Sequence, residues 1–270
     1  MHKIISKKHL KNILLFTRVH TAALTFGFYD VGLGLASFNL LSTGVVPWII
    51  FAIISHVFVF THNNVCDLAY DLKDPSKSHM PLVKGDLTTR EARVIMWASL
   101  VATLSLGMWL TNFKPLSVLS LLISTGLVAL YNYTCKKWGG AFLMLALSYS
   151  TACAIPYFSL TSNLTVPFLL VEAYWFFMGV FQIAVEGCYK DIASDKVSTL
   201  KQIGTRYRYG WYLPSLETQI FGYGIKGANI VLAYALLALI PTPPYFWVMA
   251  GVFTIVILKF SRDMLREQDF

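Results

Sequence analysis

Three residues, Asn63, Asp67 and Asp71, have the types and spacing to do chemistry. They sit in Asn63-Asn64-Val65-Cys66-Asp67-Leu68-Ala69-Tyr70-Asp71, where a long apolar segment ends. Their spacing is i, i+4, i+8. On a helix this aligns one amide and two carboxylates along a single face, about a turn apart. Acids are costly in a membrane and mark function by default when found there. Two successive carboxylates suit Mg²⁺, which takes oxygen ligands and often shares them with a substrate's phosphates. A second pair, Asp191 and Asp195, follows another apolar segment with the same i, i+4 spacing.

The elements that must position these acids are membrane-spanning. The chain has 270 residues, 56% hydrophobic and 13% charged, with a mean hydropathy of +0.59. Soluble domains carry roughly a quarter charged residues, so composition indicates an integral membrane protein embedded in the lipid bilayer. The length suits one all-α helical bundle, a single domain over residues 1–270. Segments of about spanning length fall near 19–41, 45–63, 92–111, 115–134, 140–160, 166–187, 227–242 and 244–260. Pro241, Pro243 and Pro244 force a tight turn between the last two. The four cysteines are scattered without metal spacing or an evident disulfide framework. The first apolar run is too long, and lacks a clear cleavage site, for a signal peptide.

The basic residues set the orientation. Lys3, Lys7, Lys8, Lys11 and Arg18 precede the first segment. Lys73, Lys77, Lys84, Arg90 and Arg93 lie between the second and third, and Lys136 and Lys137 between the fourth and fifth. Lys190, Lys196, Lys201, Arg206, Arg208 and Lys226 lie between the sixth and seventh; Lys259, Arg262 and Arg266 end the chain. With eight spans all of these face one side, and only Lys114 faces the other. A ninth span would put the basic tail outside. The pattern predicts eight spans, with both termini and the two long connections, 64–91 and 188–226, in the cytoplasm. The net charge of +8 is then mostly topology and headgroup attraction, and nucleic acid is not an expected partner. Each long connection begins with an acidic pair, and long connections are usually functional. Thr88-Thr89-Arg90-Glu91 has the form of a capping box opening the third segment.

This constellation resembles the UbiA superfamily of intramembrane prenyltransferases, over nearly the whole chain. The N-x-x-x-D-x-x-x-D motif is Asn63, Asp67 and Asp71. The P-L-x-x-G of the same loop is Pro81, Leu82 and Gly85. A tyrosine-and-basic motif is Tyr131-Asn132-Tyr133-Thr134-Cys135-Lys136-Lys137. K-D-x-x-x-D followed by S-T-L is Lys190, Asp191, Asp195 and Ser198-Thr199-Leu200, and Arg18 matches the family's basic residue opening the first segment. The chain departs from the pattern in four places. Position 64 is Asn where many members have Asp, and Met80 replaces the usual arginine before P-L. Position 199 is Thr where many have a third acid. Most members have nine spans rather than eight.

The resemblance implies an Mg²⁺-dependent enzyme that ionises an isoprenyl diphosphate at two cytoplasmic substrate-binding loops. Asp67 and Asp71 would serve one metal site, and Asp191 and Asp195 the other. Asn63 would bind the diphosphate or complete the metal shell. Arg18, Lys84, Lys136 and Lys190 are candidates for charge-assisted contacts to phosphate, and Lys84 or His79 is a substitute for the missing arginine. The allylic carbocation needs a dry aromatic cavity. Phe58, Phe60, Tyr131, Tyr149, Tyr157, Tyr174, Phe177 and Phe181 are the aromatic candidates on the bundle helices. Core packing is the commoner role for each, Tyr131 excepted because its motif matches. Among acids inside spans, Asp30 and Glu186 are candidates to orient an acceptor or take a proton. Glu172 and His56 read more simply as hydrogen-bonded structural groups.

Two enzymatic readings follow: transfer of the prenyl group to a lipophilic, aromatic acceptor, or cyclisation without an acceptor, as in the superfamily's membrane terpene cyclases. A transporter fits less well, because carboxylates gathered in two loops on one side line no path across the bilayer.

Overall fold

The computed structural model describes residues 6–37, 44–188, 192, 199–208, 211–239, 244–264 and 268–269. The chain divides into two compact units, one of Met1–Tyr133 with Thr151–Ser162 and one of Thr134–Ser150 with Asn163–Phe270.

The first unit opens with α1 (Lys7–Thr17), whose N-terminus is capped by the Ser6 hydroxyl accepting from the His9 amide at 3.1 Å. Arg18 ends α1 in the left-handed region, φ 50° and ψ 28°. A 3₁₀ turn, Val19–Thr21, leads into α2 (Ala22–Ser37). The helix α3 runs from Val45 to Asp71, 27 residues, or about 40 Å at 1.5 Å per residue. A hydrocarbon core is about 30 Å thick, so α3 is long enough to carry its polar end beyond it. It stops just ahead of Asp74-Pro75, where Asp74 instead caps the short 3₁₀ turn Pro75–Lys77, accepting from the Ser76 amide at 2.9 Å. The one-turn helix α4 (Pro81–Lys84) ends at Gly85, φ 78°, a conformation that favours glycine. The helix α5 (Thr89–Leu110) begins with the expected capping box: the Glu91 amide donates to the Thr88 hydroxyl at 3.2 Å, and the Thr88 amide donates to Glu91 Oε2 at 2.8 Å. The helix α6 spans Pro115–Thr134.

The core of this unit joins Tyr29 and Leu33 of α2, Trp48, Phe51 and Ala52 of α3, and Leu121 of α6 to Ala152 and Ile155 of α7 (Phe142–Leu160). Pro156 interrupts the backbone hydrogen bonding of α7. Ser117 donates its hydroxyl to the Ile155 carbonyl, and Ser159 donates to the Pro156 carbonyl at 2.6 Å. Polar side chains thus add bonds to helix carbonyls beside the proline. Gly32 meets this stretch so closely that a Cβ there would collide with the Cys153 carbonyl oxygen and lie 2.9 Å from Pro156 Cγ.

The second unit contains the N-terminal half of α7, then α8 (Val166–Phe181), which passes directly into a π-helical stretch, Gln182–Gly187. A short helix α9 (Thr199–Gln202) and a hairpin of β1 (Arg206–Arg208) and β2 (Trp211–Leu213) precede α10 (Leu216–Leu239) and α11 (Pro244–Met264). The hairpin is antiparallel, with Tyr207 opposite Tyr212, and β3 (Gln268–Asp269) pairs with β2. The core gathers Ala146 of α7, Val180 and Phe181 of α8, Ala184 and Val185 of the π-helical stretch, Ile192, Leu200 of α9 and Ile225 of α10.

Among the described residues six helices are long and apolar enough to cross a membrane: Val45–Asp71, Thr89–Leu110, Pro115–Thr134, Gly139–Leu160, Val166–Gly187 and Leu216–Leu239. Each matches one of the eight segments expected from sequence. The other two expected segments fall on α2, of 16 residues, and α11, of 21 residues. Two boundaries differ from expectation. The helix α3 continues through the acidic motif rather than stopping at residue 63. The helix α10 begins at Leu216 rather than near 227, because Lys226, read from sequence as a loop cation, is only 7% exposed within it. Its ammonium lies 3.9 Å from the centre of the Phe181 ring, where a cation is attracted by the ring face. The turn at Pro241 and Pro243 lies outside the described residues.

Two stability outcomes are expected. Gly32→Val should destabilise the protein by about 1–3 kcal/mol through overpacking; a melting temperature equal to wild type in detergent would show that α2 and α7 do not pack this tightly. Thr88→Ala removes the α5 cap and should cost about 1 kcal/mol, read as a smaller drop in the same measurement.

Candidate active site

The C-terminal half of α3 presents two parallel columns of side chains, each with four-residue spacing. The first holds Asn63, Asp67 and Asp71. Asn63 Nδ2 donates to Asp67 Oδ2 at 3.0 Å, so the amide orients the carboxylate one turn on. Asp67 is only 8% exposed, and Asp71, a turn further, is half-buried and lines a cavity of about 290 Å³. This is the single face that the spacing predicts.

The second column, one residue out of step with the first, is His56, Phe60 and Asn64, and it holds Arg18. The guanidinium carbon sits 4.9 Å from the centre of the Phe60 ring. Asn64 Nδ2 donates to the Phe16 carbonyl at 2.9 Å, and its Oδ1 accepts from Arg18 Nη2 at 3.5 Å. His56 is 1% exposed and lies with Nε2 3.0 Å from the Arg18 carbonyl. A non-glycine residue in the left-handed region costs roughly 1–2 kcal/mol, and Arg18 occupies it at the edge of the cavity.

The cavity is lined by Arg18 and His20 on the α1 side, Asn64 and Asp71 on α3, and Lys77 and His79 on the following turn. Met80, Pro81 and Leu82 add an apolar wall. One carboxylate therefore faces two cations and two imidazoles across a space large enough for an anionic group. Packing of α1 against the loop supports this wall: Phe16, Leu82, Leu87 and Ala92 form a small core with Ile13, Val65 and Leu68 around it.

The other expected residues fall as follows. Lys84 is not among the residues lining the cavity; its ammonium stands 3.5 Å from Asp86, which also pairs with Lys8 at 3.6 Å. Lys77 and His79 occupy the lining in that stretch instead. Tyr131 is half-buried in the last turn of α6, and Lys136 is half-buried just after it. Asp30 is half-buried on α2. In the second unit Glu186 is half-buried in the π-helical stretch, within electrostatic reach of Lys226. Glu172 Oε2 accepts from the Ser150 hydroxyl at 2.6 Å, while its Oε1 is buried without a hydrogen-bond partner among the described residues. Lys190, Asp191 and Asp195 lie outside the described residues.

Several participants have only a weak sequence signal. Asn64, beside the motif rather than in it, anchors Arg18. Asn132 Nδ2 donates to the Val59 carbonyl at 3.1 Å and to His62 Nδ1 at 3.1 Å, tying the end of α6 to α3. His20 and Lys77 are single polar residues in unremarkable contexts. The column 56-60-64 does repeat the spacing of 63-67-71, which is the one pattern that could have exposed it.

The described residues contain no group of three or more His, Cys, Asp or Glu able to hold a metal ion. Asp67, Asp71 and Asn63 offer hard oxygen donors along one face, too few for an all-protein cage. That set fits a small hard cation that completes its shell with water and substrate phosphate.

The chain matches the model of the UbiA prenyltransferase family over residues 24–269. No curated protein matches it. Among solved structures it resembles a UbiA homologue from Archaeoglobus fulgidus bound to GPP and Mg²⁺, at 15% identity and a TM-score of 0.67, over 93% of this chain and 86% of that one. It also resembles the apo UbiA homologue from Aeropyrum pernix K1, at 14% identity and a TM-score of 0.73, over 91% and 88% of the two chains. A digeranylgeranylglyceryl phosphate synthase is similar at 14% identity and a TM-score of 0.67, over 95% and 88%. These likenesses establish the fold, and the family match covers most of the length. With the motif columns on α3 in place, the chain belongs to the UbiA prenyltransferase family.

Proposed function

We propose that this protein is an Mg²⁺-dependent intramembrane prenyltransferase that ionises an isoprenyl diphosphate and passes the prenyl group to a lipophilic, aromatic acceptor. The observation that carries this reading is the Asn63–Asp67–Asp71 face of α3, whose last carboxylate opens into a cavity walled by Arg18 and Lys77. Structural relatives bound to GPP or DMAPP together with Mg²⁺ support the donor class.

In this reading Asp67 and Asp71 hold one Mg²⁺, and Asp191 and Asp195 hold another. Bound Mg²⁺ supplies Lewis-acid neutralisation of the charge that gathers on the departing diphosphate. Asn63 keeps Asp67 turned towards its metal. Arg18 donates to phosphate oxygens with a planar, permanently charged fork, with Lys77 beside it in the same cavity. Lys84, Lys136, Lys190 and Tyr131 are further donor contacts, while Asp30 and Glu186 orient the acceptor. Phe60 stacks on Arg18 and adds an aromatic face near the site of ionisation. The protein crosses the bilayer eight times, with both termini and the acidic ends of α3 and of the π-helical stretch on the cytoplasmic side. This follows from the one-sided placement of its lysines and arginines.

Purified protein with geranyl diphosphate and Mg²⁺ should release pyrophosphate only when a phenolic acceptor is added, and chelation should stop it. Hydrocarbon or cyclic alcohol products without acceptor would replace transfer by cyclisation. Asp67→Ala and Asp71→Ala should each lower turnover by at least about 10²-fold, the scale of lost electrostatic stabilisation, while melting stays near wild type. Near-normal turnover in both would remove these carboxylates from the chemistry.

A further inference from the structure

The backbone of Arg18 is held by a buried histidine that lies in no family motif quoted above. We propose that His56 is a positioning residue for diphosphate binding, fixing Arg18 in the conformation that delivers its guanidinium to the cavity. This rests on Arg18 being a diphosphate contact.

The hydrogen-bond pattern assigns the histidine's protons. A carbonyl oxygen only accepts, so the 3.0 Å contact of His56 Nε2 with the Arg18 carbonyl places a proton on Nε2. Nδ1 is then the acceptor, and the Thr25 hydroxyl, 2.7 Å away, donates to it. The same carbonyl accepts from the Thr21 amide at 2.9 Å and from the Thr21 hydroxyl at 2.8 Å, and that hydroxyl oxygen lies 3.0 Å from Nε2. One strained carbonyl thus receives two side-chain hydrogen bonds, and α2 sets the tautomer that makes the histidine a donor.

The geometry accounts for the need. Arg18 has φ 50°, a region an arginine leaves unless its surroundings hold it. His56, Phe60 and Asn64 follow one another at four-residue spacing on α3, the first restraining the backbone of Arg18 and the other two its guanidinium. His56 binds the carbonyl, Phe60 faces the guanidinium at 4.9 Å, and Asn64 Oδ1 accepts from Nη2 at 3.5 Å. The imidazole also packs on the Phe60 ring, with centroids 4.4 Å apart, so moving the histidine disturbs the platform as well as the backbone.

The test is the affinity of full-length protein for geranyl diphosphate with Mg²⁺, measured by calorimetry in a double-mutant cycle. Arg18→Ala and His56→Phe should each weaken binding about 10-fold, the scale of one charge-assisted contact. The double variant should be no weaker than Arg18→Ala alone. His56→Gln should recover most of the loss, since its amide can donate to the Arg18 carbonyl and accept from Thr25. Thr25→Val leaves His56 in place but frees its tautomer, and should weaken binding about threefold, again only when Arg18 is present. It carries the same test if His56→Phe does not fold. Losses that add in the Arg18→Ala background would overturn the role of His56 while leaving Arg18 at the diphosphate. Unchanged affinity in Arg18→Ala would remove Arg18 from the site and the positioning role with it.

Discussion

The structure around the candidate site depends on one constraint: α3 must remain a hydrogen-bonded helix while its side chains turn from apolar to acidic. Had the chain left the helix at residue 63, the three motif residues would have lost their common face. The continued backbone hydrogen bonding through Asp71 keeps Asn63 beside Asp67, and Asp71 a turn further on the same side. The same continuity stacks His56, Phe60 and Asn64 into a second column, to which Arg18 is fastened. One rigid element therefore carries the acidic face and anchors Arg18, which limits how far the two can drift apart.

Much of this was legible in the sequence because it is periodic. Apolar runs of spanning length gave four helices to within three residues, α5 to α8 (the last taken through its π-helical stretch), and Thr88-x-x-Glu91 marked the start of α5. The acidic face needed only the i, i+4, i+8 rule. What stayed hidden depends on long-range contact. Asn64 binds a residue 46 positions away, and Asn132 reaches His62 across 70. No local pattern encodes such pairings. From sequence His56 reads as a hydrogen-bonded structural group, and it is hydrogen-bonded; its partner, the carbonyl of Arg18, whose backbone is left-handed at the cavity edge, is what gives it meaning.

The cations teach a related lesson. A lysine in a sequence window reads as a loop or a membrane boundary, yet Lys226 lies buried over Phe181 in mid-helix. Long alkyl stems let an ammonium find a ring face inside a bundle. Lys84, a candidate phosphate contact, stands beside Asp86 in a surface pairing worth little, while Lys77 lines the cavity. Charge counting does not by itself say which cation meets a ligand.

The central claim is that the acidic face of α3 holds a divalent ion together with a prenyl diphosphate. The most direct measurement is electron paramagnetic resonance of Mn²⁺, used in place of Mg²⁺, titrated into purified protein with geranyl diphosphate. The account predicts bound Mn²⁺ that requires the diphosphate, with at least one equivalent lost in Asp67→Ala. Mn²⁺ binding that is absent, or that is the same in Asp67→Ala as in wild type, would contradict it.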